Sequence, residues 1–84
     1  MYSVEYVSTV GKQIRAIPKK ERVKVFRRIA KLAQDPRPPG AKKLKGEDSL
    51  YRVRQGGWRV VYTIEDEKLI VLVVKVGHRS DVYR

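Results

Sequence analysis

Arg52, Arg54 and Arg59 stand within eight residues, on either side of Gly56-Gly57. Glycine accepts positive φ freely, so the pair reads as a two-residue hairpin turn. That turn sets Arg54 opposite Arg59 and Val53 opposite Val60, and alternation puts Arg52 on the face of Arg54. Like charges directly opposite one another on a sheet cost about a few tenths of a kcal/mol or more. A chain shaped for folding alone avoids that arrangement, so the cluster points to an anionic ligand. Each guanidinium also offers a planar fork that grips a phosphate through two hydrogen bonds. The plainer alternative is arginines pointing into water on a basic protein.

Further candidates follow the last apolar run, in Gly77-His78-Arg79-Ser80-Asp81-Val82-Tyr83-Arg84. Glycine is expected to break the strand there, with the polar residues folding back over the end of the sheet. His78 titrates near neutrality and is a candidate proton carrier, or simply a surface histidine. Tyr83 is placed to stack on a base, or to pack near the chain end. A second basic group lies upstream. Lys19–Lys31 carries seven lysines and arginines against Glu21 alone. From it Arg27, Arg28 and Lys31, with Lys42, Lys43 and Lys45 in the following connection, are expected to bind RNA phosphates electrostatically. An acidic partner protein would suit the same surface.

The whole chain bears out that emphasis on anions. It has 84 residues, a formal charge of +11 and a pI near 10.3. Residues 1–50 hold 13 Lys/Arg against 5 Asp/Glu (+8), and residues 51–84 hold 7 against 4 (+3). Self-repulsion of this size opposes compaction and favours an anionic partner. With no cysteine and one histidine there is no disulfide framework, and no metal site or cofactor is expected. The longest apolar stretch, Leu69–Val74, is too short to span a bilayer. The first residues lack the plan of a signal peptide, so a cytoplasmic location is expected.

The elements that must position these residues read as follows. Tyr2–Val7 alternates as a short strand. Ser8 or Thr9 then caps a helix carrying Val10, Ile14 and Ile17, which Pro18 ends. A second helix runs from about Lys19 to Gln34, with Val25, Ile29 and Leu32 as its apolar row and Val23, Phe26, Ala30 and Ala33 broadening it. Asp35–Gly40, with three prolines, makes a stiff connection. Strands follow at Tyr51–Gln55, Trp58–Ile64 and Leu69–Val76, the last apolar enough to lie inside the sheet. The expected fold is α+β in a single domain over residues 1–84. A short N-terminal strand, a helical hairpin and three antiparallel strands form one mostly antiparallel four-stranded sheet, with the helices packed on one face.

Leu44-Lys45-Gly46, Tyr51-Arg52-Val53-Arg54, Trp58-Arg59-Val60-Val61-Tyr62 and Val76–Arg84 together resemble toxins of the RelE/ParE superfamily, the RelE branch in particular. The resemblance covers nearly the whole chain. It implies a toxin of a type II toxin–antitoxin system, held by a RelB-like antitoxin. It also implies metal-independent cleavage of mRNA on the ribosome by attack of the ribose 2′-hydroxyl on the adjacent phosphate. On the matching positions, Arg59 and Arg79 would stabilise charge on the phosphate, and Arg52 and Arg54 would hold the backbone. Tyr83 would stack or assist proton transfer. Some relatives carry lysine at Arg52 and Arg54; arginine is a poor proton donor, which shifts that duty toward His78 or Tyr83. The toxin is expected as a monomer or within a toxin–antitoxin hetero-oligomer. Competing readings are a ParE-like DNA gyrase poison without nuclease activity and a non-catalytic RNA- or ribosome-binding module.

Overall fold

A computed structural model describes residues 1–44 and 50–78. Its elements are β1 (Ser3–Tyr6), α1 (Val10–Arg15), α2 (Lys19–Leu32), β2 (Lys42–Lys43), β3 (Leu50–Gln55), β4 (Trp58–Glu65) and β5 (Ile70–His78). They form one sheet in the order β1-β5-β4-β3-β2. β1 runs parallel to β5 and the other pairs are antiparallel. The α+β class and the helical hairpin on one face are as expected, but the sheet has five strands rather than four. The added strand, β2, is two exposed lysines paired to Tyr51 and Arg52. A two-residue charged strand has no periodicity to read, and its existence is decided by its partner.

The core lies between the helices and one face of the sheet. Val10, Ile14 and Ile17 from the α1 segment meet Val25, Ile29 and Leu32 from α2 over Val53, Val60, Tyr62, Val71, Val73 and Val76. Val23 and Phe26 do not broaden this stripe as the sequence suggested; they are 45% and 44% exposed. The contact row follows one i, i+4, i+7 line and leaves the next line outside. The hairpin is locked by Arg22, whose guanidinium donates to the Ile17 and Arg15 carbonyls at 3.0 Å each, satisfying acceptors that the end of α1 leaves open. Thr9 stands at the N-cap of α1, but no cap bond forms from its side chain, because its backbone is already helical (φ −74°, ψ −19°). Arg15 is the last residue of α1 and Leu32 the last of α2, each short of the expected limit.

Two departures in β5 control where side chains point. Gly77 does not break the strand: it pairs with Arg59, and His78 pairs with Trp58, because β4 supplies partners to that point. The ladder also slips between Val61 and Tyr62. Tyr62 pairs with Val73 but Val61 pairs with Lys75, so Val74 is an extra residue, a β-bulge. Beyond Tyr6, where β1 stops, α1 closes the free edge of β5: the Val76 N–H donates to Gln13 Oε1 at 2.7 Å.

Candidate nucleic-acid interface

The face of the sheet away from the helices carries the arginines. The Gly56-Gly57 turn joins Gln55 directly to Trp58, with Gly56 at φ +60°, a conformation glycine alone adopts without strain. Arg54 therefore stands opposite Arg59, and Val53 opposite Val60. Arg52 is one step along the same face, opposite Val61. Their cover differs: Arg54 is exposed, while Arg52 and Arg59 are 7% and 4% exposed. Burial, and next the Arg54 charge, lower the Arg52 pKa from its ordinary value. An arginine stays protonated through such shifts, so Arg52 and Arg54 remain two like charges on one face.

The sheet sorts the remaining candidates. Lys42 pairs with Arg52 and joins the arginine face, whereas Lys43 pairs with Tyr51 and belongs to the other side. His78 is not brought to the arginines. It pairs with Trp58, its ring meets the indole edge-on at 5.5 Å, and alternation puts it on the face of Trp58 rather than that of Arg59. Arg27, Arg28 and Lys31 lie on α2, across the sheet from Arg59. Lys45, Arg79 and Tyr83 lie outside the described residues. Lys75 was not anticipated: the bulge turns it onto the face of Val61, diagonal to Arg59. Regular alternation counted along Leu69–Val76 gives it the side of Val71 and Val73, so only the slip in register reveals it.

Two other features lie off this face. Arg37, in the proline-rich connection, forms a bidentate pair with Asp66 (3.2 and 2.9 Å), and the Tyr2 hydroxyl donates to the same carboxylate at 2.6 Å. Arg37 also donates to the Tyr51 hydroxyl at 3.3 Å. The Arg37 bonds, then the Tyr2 bond, hold the Asp66 carboxyl down at about 2. This cluster ties the connection to β1, β3 and the β4–β5 turn, and takes no part in the cationic face. On the helix side a groove of about 380 Å³ is lined by Tyr6, Gly11, Ile14, Arg15, Arg22 and Phe26, apolar at its floor and basic at its rim.

The chain matches the family described as ParE toxin of type II toxin–antitoxin system, parDE, over residues 4–83. A RelE-like toxin protein from Escherichia coli is 35% identical over 86 aligned positions, covering 98% of this chain and 90% of that protein. The mRNA interferase toxin RelE of Escherichia coli strain K12 is 31% identical over the same shares of the two chains. In shape, a chain of the toxin–antitoxin complex RelBE2 from Mycobacterium tuberculosis agrees with a TM-score of 0.82 at 26% identity, covering 93% of this chain and 98% of that one.

Proposed function

The chain belongs to the family of ParE toxins of type II toxin–antitoxin systems, within the RelE/ParE superfamily, and on that premise we propose that it cleaves mRNA on the ribosome and so arrests translation. The observation that carries this reading is the convergence of Arg52, Arg54 and Arg59 on one sheet face, away from the helices, at adjacent register positions. A protein that poisons another protein needs no such phosphate cradle.

In the proposed reaction the ribose 2′-oxygen forms a bond to the neighbouring phosphorus and the bond from phosphorus to the 5′-oxygen breaks. The products are a cyclic phosphate and a free 5′-hydroxyl. The substrate carries its own nucleophile, so the protein supplies orientation, charge and proton transfer. Arg59, with Arg79, stabilises the charge that builds on the phosphate oxygens; removing one such donor costs about 10²–10³ in rate. Arg52 and Arg54 hold the backbone so that the hydroxyl stands in line. One proton leaves the 2′-hydroxyl and one must reach the 5′-oxygen. We assign this traffic to Tyr83, because His78 is aimed at the opposite side of the sheet.

Arg27, Arg28 and Lys31, with Lys42, Lys43 and Lys45, are assigned to gripping RNA outside the scissile phosphate, by charge alone. The partner we assign is a RelB-like antitoxin. The +11 charge favours an acidic protein, and the groove beside Phe26, with Arg15 and Arg22 at its rim, suits an acidic amphipathic segment.

The deciding experiment is mapping of mRNA 5′ ends after induced expression. Codon-phased cuts in translated messages are expected, and Arg59→Ala or Arg79→Ala should abolish both the cuts and growth inhibition. Growth arrest with intact messages and halted replication would instead identify a gyrase poison. Cuts that persist in the arginine variants would remove the site assignment. For the partner, Phe26→Asp should weaken binding of the product of the adjacent small gene.

A further inference from the structure

The bulge at Val74 decides where Lys75 goes. If the pairing Tyr62 with Val73 continued regularly, Lys75 would stand opposite Val60, which is fully buried under the helices. An unpaired ammonium in that position loses its hydration with nothing to replace it. The extra residue instead brings Val76 opposite Val60, where it is 2% exposed, and carries Lys75 to the other face, opposite Val61. Bulges cluster beside functional sites because they re-aim a side chain in this way.

The position it reaches is a specific one. Read across the sheet, Lys42, Arg52, Val61 and Lys75 form one row over four strands, and Arg54, Arg59 and Gly77 form the next. Directly paired residues share a face, and diagonal neighbours are about 7–8 Å apart, within reach of a long side chain. Gly77 places no side chain between Lys75 and Arg59. Lys75 is partly exposed, and no carboxylate among the described residues forms an ion pair with it. The cationic surface therefore extends past the arginines at both ends of the row, on β2 and on β5.

We infer that Lys75 binds the RNA phosphate next to the scissile one, so that the RNA backbone crosses the strands from β3 toward β5 rather than running along β3. Lys75 is a positioning residue: it holds the strand while Arg59 meets the reacting phosphate. The inference rests on the RNA-cleaving reading above and adds to it a residue and a direction for the RNA.

The test uses Lys75→Gln and Lys75→Arg in the full chain, with two readouts. In the first, a 2′-O-methyl oligoribonucleotide, which cannot be cleaved, is titrated onto each protein at several salt concentrations. Lys75→Gln should bind about tenfold more weakly. Its plot of log affinity against log salt should flatten by about 0.7, the share of one phosphate contact in a single strand. Lys75→Arg should restore both. In the second, single-turnover cleavage of ribosome-bound message should show a half-saturating concentration raised more than the saturated rate is lowered. Melting temperatures should match the parent, since Lys75 is partly exposed and outside the core. Parental affinity and salt slope in Lys75→Gln, alongside lost cleavage in Arg59→Ala, would overturn the inference and leave the RNA-cleaving reading intact. A parent chain that cuts no message would sink that reading, while a flattened salt slope in Lys75→Gln would still support the phosphate contact.

Discussion

Arg59 and Val60 are neighbours in the chain and almost equally hidden from water, at 4% and 0% exposure, yet they serve opposite faces of one sheet. On the side of Val60 the sheet buries valines and Tyr62 against two helices, and the Tyr62 hydroxyl finds its partner in the Pro36 carbonyl at 2.7 Å. Among the described residues, the core side chains there are apolar or, like Tyr62, satisfied, so removing one is expected to lower stability. On the side of Arg59 the sheet sets three arginines at adjacent register positions, and burial, then the Arg54 charge, lowers the pKa of Arg52. On the function proposed above, that arrangement is kept for the RNA it binds rather than for the fold. Stability and chemistry are, on the proposed function, divided by the thickness of a backbone, and substitutions on the two sides should fail in different ways.

The largest effect is expected on the covered side. Leu32→Ala should cost about 2–5 kcal/mol, read as a lower urea midpoint, because Leu32 is fully buried and its loss leaves a cavity. Next comes Arg59→Lys, which keeps a charge but loses the fork. Cleavage should slow about a hundredfold, roughly 2.7 kcal/mol, with a midpoint shift well below that of Leu32→Ala. Equal losses of stability in the two variants would break the comparison. Tyr62→Phe should cost about 1–3 kcal/mol by leaving the Pro36 carbonyl unsatisfied, with cleavage unchanged at temperatures where the chain stays folded. Arg54→Gln should go the other way, raising stability by about a few tenths of a kcal/mol as repulsion is relieved, while weakening RNA binding.

The smallest effect concerns Asp66, whose charge sits outside both faces. Its carboxyl is held at about 2 in the folded chain against an ordinary 3.8, so the unfolded chain takes up the proton first as acid is added. The contribution of the Arg37–Asp66 pair is complete above about pH 4 and is lost as pH falls toward 2. Asp66→Asn should flatten stability across that window, and an unchanged acid limb in a pH titration of melting temperature would show the pair to be idle.

Much of this was legible in the chain. The i, i+4, i+7 row Val25-Ile29-Leu32 marked the buried side of α2, and Gly56-Gly57 fixed the hairpin register and with it the pairing of Arg54 with Arg59. Both are local signals, set within a turn or a few helical steps. What escaped was set by partners distant in sequence. β2 exists because β3 offers it an edge. Gly77 stays in its strand because Arg59 pairs with it, and the same pairing turns His78 away from the arginines. Lys75 escaped for the same reason: the apolar run 69–76 shows no mark of the slip at Val74, which arises from fitting Tyr62 and Val76 into one core. Val23 and Phe26 looked like core on a helical projection, which does not say how wide the neighbouring element is.

The parallel pairing of β1 with β5 joins Ser3 to Ile70, 67 positions apart, and so ties the order of synthesis to the order of folding. Contacts of that range form late, since a long loop must close before they contribute. Until β5 emerges, β4 lacks a neighbour, β1 has no strand to pair with, and the bulge that aims Lys75 does not exist. A nascent chain stopped before residue 70 has made three arginines of the cationic face but has no completed sheet to present them. The finished surface therefore waits on β5, and pulse-labelled hydrogen exchange should find the amides of β1 among the last to gain protection.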